Sequence, residues 1–180
     1  AIVMNASGCG VTVKDYARHL AHDPDYADKA ARIAALTKDL SELLPALVPA
    51  LKTRLARPAA SSAASKAAAP APQRLAFHPP CTLQHGQQLR GGVEGGLREL
   101  GFDVSLASAE SHLCCGSAGT YSVLQPELST QLRDRKLSNL APLDAQVIVS
   151  ANIGCIQHLQ SGTATPVRHW VEVLDDALAT

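Results

Sequence analysis

Short apolar runs alternate with helical stripes along this chain. Ile2-Val3-Met4, Leu75-Ala76-Phe77 and Val147-Ile148-Val149 are continuous runs of buried-strand type. Phe102, Val104 and Leu106 alternate with polar or small residues, which predicts a half-buried strand. Between these runs the apolar spacing becomes helical. Asp23-Pro24 reads as an N-cap and first helical position. Ala30, Ile33, Leu36 and Leu40 then form a stripe that packs on a core. Asp39-x-x-Glu42 approximates a capping box that restarts a helix. Leu89, Val93, Leu97 and Leu100 predict a helix closed by Gly101. Gln125-Pro126 opens another, carrying Leu128, Leu132 and Leu140. A helix should also follow Val147-Ile148-Val149, and a last amphipathic one runs from about His169 to Leu178, after Pro166-Val167-Arg168.

Such alternation predicts an α/β fold with a parallel sheet and right-handed crossovers. Residues 45–73 break the pattern: five prolines punctuate Ala- and Ser-rich text, which predicts a linker. Residues 74–180 then form the main domain. Residues 1–44 carry a partial echo of it. Ile2-Val3 with Gly8-Cys9 matches Ile148-Val149 with Gly154-Cys155 at an offset of 146 residues, and 39–44 resembles 169–174 at an offset of 130. An internal duplication is the expectation, with 1–44 as the tail of a preceding copy.

The chain's chemistry lies in its cysteines. Cys114 and Cys115 are adjacent, which disfavours a disulfide between them, and Gly116 follows. Cys81 and Cys155 complete the pattern Cys81-x32-Cys114-Cys115-Gly116-x35-Asn152-x-x-Cys155. All three cysteine groups fall just past predicted strand ends, where parallel sheets build their sites. An isolated cysteine is usually a small buried hydrophobe. Four with an adjacent pair point to a metal or cluster instead, because thiolates from separate loops can close around one centre. Cys9 is either an orphan or a ligand of a site outside this chain. His158 stands three residues after Cys155 and His112 two before the pair; each is a candidate zinc ligand or an ordinary hydrogen-bonding group. Asn152 is a candidate too, as an amide ligand, a hydrogen-bonding group beside a cluster, or a turn residue. Ser117 and Tyr121 could line a cavity or simply pack a turn and a helix.

Composition narrows the rest. Sixteen basic residues balance sixteen acidic ones without a long basic run, which speaks against a nucleic-acid partner. No apolar run reaches the roughly 18 residues that a membrane span needs. The first residues lack a signal-peptide pattern. Five cysteines without a secreted-scaffold spacing suit a reducing cytoplasm. Gly91-Gly92 and Gly95-Gly96 interrupt a helical stripe and make no phosphate cradle. No catalytic residue stands out; a thiol nucleophile at Cys114 or Cys115 with His112 as base would leave Cys81 and Cys155 unused.

The stretches HPPCTLQHGQ, ESHLCCGSAGTYSVLQPELS and SANIGCIQHLQSGT carry a resemblance. They resemble the cysteine-rich CCG domains of heterodisulfide-reductase-type subunits, and among these the iron–sulfur subunits of bacterial glycolate oxidases. NASGCG with VKDYARHL resembles the end of a first CCG domain. The resemblance implies a C-terminal fragment of an electron-transfer subunit, itself non-catalytic and inactive when isolated. Flavin-containing glycolate oxidase subunits would oxidise glycolate to glyoxylate and pass it electrons. It also implies a [4Fe–4S] cluster at Cys81, Cys114, Cys115 and Cys155, in the cytoplasm or peripheral at the cytoplasmic face of the inner membrane. Asn152 replaces one of the family's five motif cysteines, so a four-thiolate cluster, or zinc in a structural docking module, is the arrangement to test.

Overall fold

A computed structural model describes residues 1–56 and 73–179. The first stretch runs β1 (Ile2–Met4), α1 (Ser7–Lys14), α2 (Tyr16–His19), α3 (Ala27–Leu36), β2 (Thr37–Asp39) and α4 (Leu40–Leu55). The second runs β3 (Arg74–His78), α5 (Gly92–Glu99), β4 (Asp103–Ser105), α6 (Tyr121–Leu124), α7 (Pro126–Leu140), β5 (Val147–Ser150), α8 (Ile153–Gln160), β6 (Val167–His169) and α9 (Trp170–Ala179). The fold is mixed α/β with parallel sheets. β1 pairs with β2, and the larger sheet has the order β4-β3-β5-β6, every pairing parallel.

Strand alternation divides the core into two layers. Leu75, Phe77, Val147 and Val149 face one side of the larger sheet, where α4, α5 and α9 cover them with Leu44, Val48, Leu97, Trp170 and Leu174. Ala76, Ile148 and Val167 face the other side, under Leu140, Ile156 and Leu159 of α7 and α8. Cys115 and Cys155 belong to that second layer. Each fully buried aliphatic chain, such as Leu97 or Leu159, contributes about 1.5–3 kcal/mol.

Three expectations need correction. The stripe through Ala30, Ile33, Leu36 and Leu40 is not one helix. α3 stops at Leu36, β2 intervenes, and Ile33 and Leu36 are exposed while Ala30 is buried. Asp23 caps a turn ahead of α3, its Oδ1 accepting from Asp25 N and Tyr26 N at 2.9 Å each. The larger correction concerns residues 45–56, expected as linker. Residues 45–55 continue α4 through Pro45 and Pro49. An interior proline costs a helix about 3 kcal/mol. Burial offsets that here: Leu44 and Val48 are buried, and Leu40, Leu51 and Leu55 pack partly against the same core. The helix also starts well, since the capping box at Asp39 and Glu42 is complete. α4 lies so close on α5 that a Cβ on Gly96 would come within 2.4 Å of Leu44 Cδ2, which is why that position is a glycine. The remainder of the expected linker, 57–72, lies outside the described residues.

The partial echo appears in the register. β1 pairs Ile2 with Thr37 and Met4 with Asp39; β5 pairs Ile148 with Val167 and Ser150 with His169. The offsets are again 146 and 130 residues.

Candidate metal centre

Three parallel strands deliver the cysteines to one end of the larger sheet. β3 ends at His78, and Pro79-Pro80 carries the chain to Cys81 at the head of the tight turn Thr82–Gly86. The loop after β4 brings Cys114 and Cys115. β5 leads through Ala151 and Asn152 to Cys155 in the first turn of α8. Cys81 Sγ donates to Cys114 Sγ at 3.9 Å. Cys115 is fully buried and Cys155 nearly so, whereas Cys81 and Cys114 are partly exposed.

The sulfurs share their protons. A hydrogen bond to Cys114, then burial, pushes the Cys81 thiol up. Hydrogen bonds to Cys114 and Cys155, then burial, push Cys115 up as well. Hydrogen bonds from Cys115 and Cys81 hold Cys114 far below the usual thiol range, against the cost of its burial. Cys155 is likewise held low, first by Cys115, against burial, with His78 adding to the effect. A metal binding these sulfurs takes them as thiolates and displaces the protons they share.

Gly116 makes this geometry possible. Its φ is +97°, and a Cβ there would sit 2.3 Å from Ser129 O on α7 and 3.1 Å from His158 Nε2. A side chain would thus be both strained and overlapped. The bare glycine lets the loop press against α7, where Ser129 Oγ donates to Gly116 O at 2.8 Å. Gly116 N in turn donates to Cys114 Sγ at 3.3 Å.

Residues 75–160 match the CCG cysteine-rich domain. The whole chain is similar to longer proteins. It is 46% identical over 178 residues to the glycolate oxidase iron-sulfur subunit of Escherichia coli (strain K12), covering 99% of this chain and 40% of that protein. It is 27% identical over 169 residues to the probable glycolate oxidase iron-sulfur subunit of Bacillus subtilis (strain 168), covering 90% of this chain and 34% of that one. It is 28% identical over 182 residues to lactate utilization protein A of Geobacillus thermodenitrificans (strain NG80-2), covering 97% and 69%. The chain therefore spans about a third to two thirds of the length of these relatives. Residues 75–160 form a CCG cysteine-rich domain.

The CCG domain treats the other candidates unequally. Asn152 faces the cysteines: its Nδ2 donates to Cys155 Sγ at 3.8 Å. His158 lies beside the site but is engaged with α7, its Nε2 3.0 Å from Ser129 Oγ and 3.2 Å from Ser129 O. It buttresses the loop at Gly116. His112 is exposed and lines a separate cavity with Gln84 and His85. Cys9, exposed on α1, lines a cleft of about 750 Å³ whose walls include Cys81, Cys114, Asn152 and Cys155. It thus shares the mouth of the site without joining the buried sulfurs. Ser117 lines that cleft, 3.4 Å from Cys115 Sγ, whereas Tyr121 lines a different one with Leu128 and Arg135.

Two residues at the site escaped the sequence reading. Lys136 on α7 is 1% exposed, and its Nζ donates to Glu110 O at 2.6 Å and Ser111 O at 3.3 Å. Burial lowers its pKa, while negative charge on the nearby cysteine sulfurs and on Glu110 pulls it back up. It anchors the loop ahead of Cys114 and sets a buried cation near the sulfurs. His78 is also 1% exposed, and its ring reaches Cys115 and Cys155: one ligand atom from each of the three lies within 4.8 Å of the others. In the sequence Lys136 looks like a surface residue on a polar helix. His78 had one available signal, its place as the last residue of a strand three positions before Cys81.

Proposed function

We propose that this chain is the C-terminal part of an iron–sulfur electron-transfer subunit of a glycolate oxidase-type complex. In this reading Cys81, Cys114, Cys115 and Cys155 hold a [4Fe–4S] cluster. The observation that carries it is the meeting of four sulfurs from three strand ends, in a domain that matches the CCG family. The donor set suits the group: thiolates are its ligands, and a buried Lys136 offsets their charge. A bound cluster supplies reversible one-electron transfer. The protein's own part is to hold the sulfurs, to limit water at Cys115 and Cys155, and to aim N–H groups of Gly116 and Asn152 at Cys114 and Cys155. Such hydrogen bonds to sulfur tune the potential.

In the same reading flavin-containing subunits are the electron donors, and the chain itself performs no chemistry on glycolate. It works in the cytoplasm, or at the cytoplasmic face of the inner membrane through its complex; no helix among the described residues is long and apolar enough to span one. Residues 1–44, extended here to the end of α4, are the tail of a preceding CCG domain, an origin supported by the shared register offsets.

Zinc is the second reading, favoured by compactness. Tetrahedral zinc with bonds of about 2.3 Å to sulfur sets its ligands about 3.8 Å apart, and Cys81 and Cys114 sulfurs stand 3.9 Å apart. A zinc centre would make the domain a docking module without redox activity. Anaerobic reconstitution followed by iron, sulfide and zinc analysis separates the two. Iron and sulfide in comparable amounts support the electron relay; stoichiometric zinc without sulfide overturns it.

A further inference from the structure

Among the described residues His78 stands apart, with two buried unpaired ring nitrogens where Gln87 Oε1 and Trp170 Nε1 are single such atoms. Its backbone is fully used, since it pairs with Ser150 across β3 and β5 and its carbonyl accepts from Ser150 Oγ at 3.0 Å. Its side chain is not. Ring Nδ1 and Nε2 are both buried and neither meets a partner in hydrogen-bond geometry, although the ring lies close enough to Cys155 to help hold that thiol's pKa down. A buried polar atom left unpaired costs about 1–3 kcal/mol, and this ring carries two. Nothing in the packing of β3 demands an imidazole here. Alternation merely turns residue 78 to the same face as Ala76, and an apolar side chain would fill that position without the penalty.

What the ring does face is the sulfur site. One of its nitrogens, Cys115 Sγ and Cys155 Sγ form a triad within 4.8 Å, all three residues buried. A neutral imidazole is a ligand for iron and zinc alike, and histidine replaces cysteine on one iron of certain iron–sulfur centres. The motif's remaining position holds Asn152, whose amide N–H is directed at Cys155 Sγ.

We infer that His78 supplies a nitrogen ligand to the metal centre, completing a donor set of four thiolates and one imidazole. The inference rests on the reading of the four cysteines as ligands. It explains in one step why the ring is buried, why it is unpaired and why it stands at the end of the central strand.

The test uses the full chain, reconstituted anaerobically with iron and sulfide and reduced by one electron with dithionite to a paramagnetic state and, in parallel, loaded with cobalt(II) as a zinc surrogate. Histidine labelled with 15N in the imidazole provides the readout. Pulsed paramagnetic resonance should show a directly bonded 15N that vanishes in His78→Gln and survives in His158→Gln. Metal affinity of His78→Gln should fall at least about tenfold, the lower end of what losing even an outer-shell partner costs. His78→Cys, which offers a replacement ligand, should keep its metal and lose the nitrogen signal, so misfolding is separated from lost ligation. A wild-type spectrum without strong 15N coupling, or one unchanged in His78→Gln, overturns the role of His78 while Cys81→Ser and Cys155→Ser still lose metal. If those cysteine variants bind as much metal as wild type, the four-cysteine reading itself has failed and His78 as its completing ligand fails with it.

Discussion

The strand–helix unit made by β1, α1, β2 and α4 and the unit made by β5, α8, β6 and α9 share one register and end differently. Each puts a Gly-Cys in the first helix after a strand, at Gly8-Cys9 and Gly154-Cys155. Each starts its last helix with the same device. Glu42 accepts from Asp39 N and Glu172 from His169 N, both at 2.7 Å, while Asp39 Oδ1 and His169 Nδ1 accept from the amide two residues on. Yet Cys9 is exposed and Cys155 is 3% exposed at the heart of a sulfur cluster. The difference lies in the neighbours. β5 has β3 beside it and β4 beyond, and their loops bring Cys81, Cys114 and Cys115; among the described residues β1 pairs with β2 alone. A cysteine at a strand–helix junction is therefore a ligand position only when adjacent strands deliver the rest.

The sharpest way to break this contrast is at the two cysteines. Cys155→Ser should lose most of the bound metal, whereas Cys9→Ser should keep it, as measured by iron and zinc content after reconstitution. Serine is a harder and poorer ligand for this chemistry. Equal loss in both would place Cys9 inside the same centre.

Gly116→Ala attacks the delivery loop instead of a ligand. The added Cβ meets Ser129 O at a positive φ, so destabilisation of about 3 kcal/mol is expected in urea unfolding. An unchanged midpoint would mean that the loop does not press on α7.

The shared cap gives a smaller effect. Asp39→Ala should cost about 1 kcal/mol of stability, the usual value of an N-cap. His169→Ala should cost a similar amount, because its Nδ1 holds Val171 N at 3.1 Å. A neutral outcome at either position would separate the two units energetically.

Smallest is a pH effect at His169, where the first unit has Asp39. His169 accepts at Nδ1, so its Nε2 carries the proton and donates to Asn5 O at 2.8 Å. Burial lowers its pKa, which means the folded state favours the neutral ring. The unfolded chain then binds the proton more readily. Stability from this group is complete above the ordinary histidine pKa, about 6.5, and declines as pH falls from there toward the lowered value. Thermal unfolding between pH 7 and pH 5 should show that decline in wild type, and His169→Asp, which copies the residue of the first unit, should reduce it. An identical slope in both would remove His169 as the cause.

Much of this was legible along the chain. Apolar runs of three or four residues and stripes at helical spacing are local signals, and they placed β3, β5, α5, α7 and α9 within a few residues. The cysteine groups could be assigned to strand ends for the same reason, and parallel alternation then implied their meeting. What the tertiary structure decided depends on partners far apart in sequence. Pro45 and Pro49 read as helix breakers, and only the burial of Leu44 and Val48 on the sheet keeps α4 running through them. β2 hid inside a helical stripe because three residues carry no period of their own; pairing with β1 makes it a strand. His158 and His112 had equal claims by spacing, until Ser129 engaged the first and the second turned to a different cavity. His78 had only its place at a strand end, three positions before Cys81, as a local signal; the alternation of β3 turns it toward sulfurs that arrive 37 and 77 residues later.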